Sequence, residues 1–327
     1  MNKDFIWGVA SSAYQIEGAE NEGGRCPSIW DKQFTEGKTL GDMNGSVACD
    51  HYHRYKQDVA LMHELGVKNY RFSVSWCRIM PDGTGTVNAE GARFYNDLVD
   101  ELLKYGITPW VTVYHWDLPR KLFEEGGFLN DKISDYFADY ARAVVEMSNY
   151  IIFNEPQVVV EDGHFTGAHA PFLQLSRSDV FRVAHNVLLC IGKAEKAMRK
   201  AAKHKLNLGI SPCFTPMIPT EGCDKTLAEK YNFSPNGEFY DGCFFTDALI
   251  KGEFSDEQWF AEYGYNPSQD DLRTIKCNFD FFGVNYYQGF YVEENENGIR
   301  KLPLSPTDKV TAMDWKVTPE GIELSLI

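Results

Sequence analysis

Ile151-Ile152-Phe153-Asn154-Glu155-Pro156 places a carboxylate where it could move a proton. The apolar run is that of a strand, and proline stops it at once by fixing φ and removing a backbone donor. A carboxylate beside an amide at a strand end is costly to bury, so it reads as a group held there for chemistry. Other polar and aromatic side chains gather on or just past predicted strands: Tyr14, Gln15 and Glu17; Arg71 and Trp76; His115-Trp116-Asp117; and Asn285-Tyr286-Tyr287. Gln, His, Asn and Arg together offer several hydrogen bonds, and Trp offers a stacking face. Such a set fits a neutral polyhydroxylated ring. Each member alone has a plainer reading: His115 as a satisfied core histidine, Trp116 as packing, Arg71 as an internal ion-pair partner. Their placement at successive strand ends is what points to a site.

The elements that must position these groups alternate. Strands are predicted over 5–10, 69–75, 108–114, 150–153, 207–211 and 281–287. Helices are predicted over 55–65, 89–105 and 132–146, with a long one within 178–204. In the second, Phe94, Leu98 and Leu102 fall four apart, as do Tyr95, Val99 and Leu103, and Gly106 closes it. The basic end of the long helix (Lys193, Lys196, Arg199, Lys200, Lys203) suits its own C-terminal dipole. Residues 290–300 read as an extended hairpin, and Thr318-Pro319-Glu320 as the start of a last helix with Thr318 as N-cap. Repeated strand–helix units predict a parallel sheet with helices outside. No Gly-x-Gly-x-x-Gly follows the first strand, which disfavours a nucleotide-binding doubly wound sheet. A β/α barrel is expected, with its active groups at the C-terminal strand ends.

Apolar residues make up 43% of the 327, and aromatics 14%. A net charge of −15 repels phosphate backbones and anionic lipid, so neither nucleic acid nor a membrane surface is an expected partner. No apolar stretch approaches the ~18 residues of a membrane span. Residues 1–8 show no leader pattern, and the eight cysteines form no Cys-x-x-Cys pair; reduced thiols in the cytoplasm are expected. His51 and His53, two apart, would face different sides of a helix, so no metal site is expected there.

Longer stretches resemble one family. Phe5-Ile6-Trp7-Gly8-Val9-Ala10-Ser11-Ser12-Ala13-Tyr14-Gln15-Ile16-Glu17-Gly18-Ala19 is similar to its N-terminal signature. Asp50-His51-Tyr52-His53-Arg54-Tyr55, Tyr70-Arg71-Phe72-Ser73-Val74-Ser75-Trp76, His115-Trp116-Asp117-Leu118-Pro119, Phe153-Asn154-Glu155-Pro156 and Phe282-Gly283-Val284-Asn285-Tyr286-Tyr287 come after it in family order. The chain resembles a family-1 glycoside hydrolase of the β-glucosidase type. The resemblance implies a (β/α)8 TIM barrel, here a single incomplete barrel of about six strand–helix units over residues 1–327. It implies retaining hydrolysis of a terminal β-D-glucoside or cello-oligosaccharide, with no cofactor and no metal. Glu155 would be the acid/base. Asn154 would bind the 2-hydroxyl, with Gln15, His115, Trp116, Asn285 and Tyr287 around the same sugar. Arg71 and Tyr287 would orient the nucleophile.

The sequence departs from the family where the nucleophile belongs. The expected Ile/Val-Thr-Glu-Asn-Gly motif is absent, and the only Glu-Asn-Gly, Glu296-Asn297-Gly298, reads as a hairpin tip. By resemblance, barrel strands seven and eight are missing. Glu155 would then lack the neighbouring negative charge that raises the acid's pKa, and would titrate lower than in a complete relative. The turn at Glu146-Met147-Ser148-Asn149-Tyr150 is also short, which could shift how the key strand enters. Two other readings stay open: a non-catalytic sugar-binding relative, and a 6-phospho-β-glucosidase.

Overall fold

The computed structural model describes residues 5–233, 243–254, 261, 263–296 and 298–325. Strands β1 (Val9–Ala10), β2 (Asn69–Ser73), β3 (Thr108–Tyr114), β4 (Asn149–Asn154) and β5 (Asn207–Ser211) are followed by two short pieces, β6 (Cys213–Phe214) and β7 (Met217–Pro219), and then by β8 (Phe281–Phe282). One sheet runs in the order β1-β2-β3-β4-β5-β8, with every neighbouring pair parallel. Helices α1 (His51–Glu64), α2 (Ala89–Lys104), α3 (Ile133–Ala143), α4 (Arg177–Ala201) and α5 (Gln269–Ile275) make the crossovers in turn. This is an open β/α barrel with β1 and β8 as its edges.

Local chemistry sets the helix ends. The Asn88 side chain accepts from Glu90 N–H at the start of α2, and Ser176 does the same for Asp179 at α4. Ser268 and Asp271 form a capping box at α5. Phe94, Leu98 and Leu102 are buried, whereas Leu103 turns outward. Lys196 meets Gly192 O of its own helix at 3.3 Å but also reaches beyond it. Its ammonium donates to Thr274 O and Lys276 O, both at 2.8 Å, and so caps the carbonyl end of α5. Beneath the sheet, Trp76 stacks on Tyr140 with ring centroids 4.9 Å apart, and Tyr114, Phe128, Phe137 and Phe153 pack around them.

Three expectations change here. Only Val9–Ala10 of 5–10 is a strand, because the partner strand β2 begins at Asn69; Phe5, Ile6 and Trp7 are exposed. The strand expected over 281–287 is broken into β8 and β9 (Asn285–Tyr286), the latter paired with β6. Pro212 opposite the break has no N–H to continue the ladder, and a side chain on Gly283 would sit 3.0 Å from Ile210 O. Thr318 does not cap a helix. Its carbonyl and hydroxyl accept from Tyr286 and Gly289, and the last helical turn is Gly321–Leu324. The short turn before β4 is closed by one hydroxyl: Tyr150 donates to Val144 O at 2.8 Å and accepts from Glu146 and Met147 N–H at 2.9 and 2.7 Å.

Strands β10 (Phe290–Asn295) and β11 (Gly298–Lys301) form an antiparallel hairpin that adds to β7. Asn295 lies opposite Gly298, so Glu296 stands at the hairpin tip, as expected; Asn297 lies outside the described residues.

Candidate active site

Glu155 is aimed by a local irregularity. Ile151 pairs with Gly209, but Asn154 pairs with Ser211, so β4 carries an extra residue just before its end. Such a bulge bends the strand and redirects the residues beyond it. Glu155 itself has φ 50° and ψ 66°, a left-handed conformation costing about 1–3 kcal/mol for a residue with a side chain. Its N–H is held by Ser211 O at 2.8 Å, and Pro156 starts the next helix. The side chain is only 3% exposed.

The carboxyl group has defined neighbours. Asn285 Nδ2 donates to it, and the Tyr287 hydroxyl and the Arg71 guanidinium lie nearby. Burial raises its pKa above the ordinary glutamate value; Asn285, Arg71 and Tyr287 oppose that rise and Asp162 adds to it.

Arg71 organises the floor. Its Nε donates to Thr112 Oγ1 at 2.9 Å, its Nη2 to Asn154 Oδ1 at 2.5 Å, and its Nη1 approaches Asn285 Oδ1 at 3.5 Å. Asn285 Nδ2 reaches the same Asn154 oxygen at 3.0 Å. Asn154 Nδ2 therefore faces away from Arg71, 3.3 Å from His115 Nε2. An amide nitrogen can only donate, so Nε2 accepts and the His115 proton sits on Nδ1. Burial, with Arg71 adding, holds the His115 pKa down at about 3, so the ring is neutral. Trp116 donates from Nε1 to Asn154 O at 3.0 Å and stacks on Trp30 with centroids 6.5 Å apart. Its backbone, at φ 75°, is also left-handed.

Six of the eight expected residues, Arg71, His115, Trp116, Asn154, Glu155 and Asn285, thus form one connected network, with Tyr287 at its edge beside Trp315. Gln15 stands apart. It lies on the turn Ala13–Ile16 after β1, exposed, with no side-chain partner among the described residues. Arg71 is not in an ion pair: no carboxylate lies within salt-bridge distance of it among the described residues, and its hydrogen-bond partners are a hydroxyl and two amides. Thr112 and Ser211 were not expected. Neither has a motif, and each matters only through the register of its strand.

Asp117, one residue past Trp116, is 2% exposed, and neither carboxylate oxygen has a hydrogen-bond partner among the described residues. Burial pushes its pKa up to about 7, with Ser75 and Arg25 opposing and Glu17 adding. The folded state thus holds a proton that the unfolded chain has lost. The cost is absent below the unfolded value, grows as pH rises towards 7, and is complete above it. Asp117→Asn is expected to stabilise the protein by about 2–4 kcal/mol at pH ~8 and by far less at pH ~4. Urea unfolding at the two pH values checks this; an equal gain at both would refute it.

Among the described residues no group of His, Cys, Asp and Glu is placed to hold a metal, and no helix is long and apolar enough to cross a membrane.

A buried carboxyl group at the end of the fourth strand of a parallel β/α barrel, ringed by amide, imidazole, guanidinium and indole, suits a neutral polyhydroxylated ring. The comparisons agree. Residues 1–326 match the description Glycosyl hydrolase family 1. The chain is 39% identical over 337 residues to β-glucosidase A of Acetivibrio thermocellus, spanning 98% of this chain and 73% of that one. It is 38% identical over 333 residues to β-glucosidase A of Thermotoga maritima, spanning 97% and 72%. The solved family 1 β-glucosidase from Thermotoga maritima matches with a TM-score of 0.89 at 36% identity, covering all of this chain and 74% of that one. This chain belongs to glycosyl hydrolase family 1.

Proposed function

We propose that the active site is built to hydrolyse terminal β-D-glucosides with retention, Glu155 giving a proton to the glycosidic oxygen and then taking one from water. Asn154, Asn285, His115, Trp116, Tyr287 and Gln15 hold the glucosyl ring, and 1–327 is one incomplete barrel domain. None of these residues stands in for the attacking carboxylate. The observation that carries this reading is Arg71: a partly buried cation beside Glu155 with only neutral hydrogen-bond partners. Removing one member of a buried pair leaves an uncompensated charge, so the place beside Arg71 suits a second carboxylate. A retaining pair needs that group roughly 5–5.5 Å from Glu155. Structures of the Thermotoga maritima enzyme with glucoimidazole and deoxynojirimycin support a glucose-sized ligand. Free cysteines support a cytoplasmic setting.

An aryl β-glucoside assay of the 327-residue chain, with and without azide, tests the reading. Little hydrolysis is expected alone. Azide should restore cleavage: its nitrogen bonds to the anomeric carbon as the carbon–oxygen bond breaks, giving the α-glucosyl azide. Full activity without an added anion would show that another acid fills the role. A relative at 35% identity is an aryl-phospho-β-D-glucosidase from Bacillus subtilis, so a 6-phosphoglucoside belongs in the same assay. The unphosphorylated glucoside is the expected substrate.

A further inference from the structure

We propose that Ser211 is a positioning residue that fixes which side of the Asn285 amide meets the Glu155 carboxyl. Ser211 ends β5 and is 2% exposed. It reaches the acid once directly and once through Asn285. Its carbonyl takes the Glu155 N–H at 2.8 Å, and its hydroxyl donates to Asn285 Oδ1 at 2.7 Å. Arg71 Nη1 points at the same Oδ1 from 3.5 Å. With donors on its oxygen, the Asn285 amide must turn its NH2 the other way, towards Asn154 Oδ1 at 3.0 Å and the Glu155 carboxyl.

That orientation has a chemical consequence. An NH2 facing the carboxyl favours the ionised form, whereas an amide oxygen there would tolerate only the protonated acid. Glu155 must visit both states in one catalytic cycle, so the amide's direction helps set how readily it gives up and regains its proton. The inference rests on the acid/base reading of Glu155. Without the hydroxyl, reversal is opposed only by the longer Arg71 contact and by the Asn154 oxygen that the NH2 also meets. The β4 bulge makes the arrangement possible by bringing Asn154, rather than Phe153, level with Ser211.

The other groups around Glu155 stay fixed in the test: Arg71 from β2, Tyr287 after β9, Asp162 in the helical segment beyond Pro156, and the Cys213 thiol of β6. The Glu155 titration midpoint can be read on the substrate-free protein by carbon-13 NMR of labelled glutamate carboxyls, assigned by the signal that Glu155→Gln removes. Ser211→Ala is expected to raise the midpoint by about one pH unit, and Ser211→Thr, which keeps the hydroxyl, to leave it near wild type. If Ser211→Ala does not fold, Ser211→Val against Ser211→Thr makes the same comparison at matched size. An unchanged midpoint in Ala or Val, or an equal rise in Thr, would overturn the inference. The midpoint is read without turnover, so it can fail while azide-assisted cleavage succeeds, and the reverse.

Discussion

Glu155→Gln is expected to cut azide-assisted cleavage of an alkyl β-glucoside by roughly 10²–10⁴-fold, the usual worth of a placed general acid. An alkoxide leaves poorly unless protonated as its bond breaks, and Glu155 is the carboxyl group that the strand end holds inside the network of ring-binding candidates. Glutamine keeps the size and can still hydrogen-bond, but carries no transferable proton. A glucoside of a strongly acidic nitrophenol needs no such help, so its rate should fall much less. The ratio of the two losses is the diagnostic, measured as initial rates at fixed azide. Equal losses would mean that residue 155 acts by binding or folding. The pH dependence has a fixed sign. Burial raises the Glu155 pKa, so the donor form persists above the ordinary glutamate value, and the alkyl-glucoside rate should fall as pH climbs through it.

The second large effect lies behind the turn that carries Gln15. Glu17 is 5% exposed and Arg78 is fully buried; Arg78 Nε donates to Glu17 at 3.1 Å and the Tyr95 hydroxyl donates to it at 2.7 Å. Arg78 also donates to Gly18 O, and Tyr95 accepts the Ser75 N–H, so the cluster ties the β1 exit to the β2 exit. Glu17→Ala strands a buried guanidinium and should cost about 3–5 kcal/mol. Replacing both partners together, as Glu17→Leu with Arg78→Met, should recover much of that loss, because no unpaired charge is left. Denaturant midpoints of the two single variants and the double variant check it. A single-variant loss under ~1 kcal/mol would mean that solvent reaches the pair.

The fold was legible where a strand was an uninterrupted apolar run. Strands β3 and β5 have the bounds their residues predict, because Gly106 and the polar stretch before Asn207 punctuate them. It was not legible where the partner decides. Nothing in Phe5-Ile6-Trp7 says that β2 starts too late to pair with it, and nothing in Thr318-Pro319-Glu320 says that Tyr286 and Gly289 will claim the threonine. The candidate site residues stood out because costly residue types recur at strand ends. Ser211 and Thr112 did not, since a serine or threonine in a strand is unremarkable until register brings a particular amide or guanidinium opposite it. The plainer reading of Arg71 was an internal ion pair, set beside its implied role of orienting the nucleophile; its hydrogen-bond partners prove to be neutral, and that difference now carries the functional reading.

The left-handed backbone at residue 155 bears on how such a lineage can drift. Glycine would relax that conformation and discard a desolvated acid in one codon change. Breeding for heat endurance alone would therefore favour forms that outlast the parent while doing no work. On the acid/base reading of Glu155, only demand for that proton transfer keeps glutamate in place.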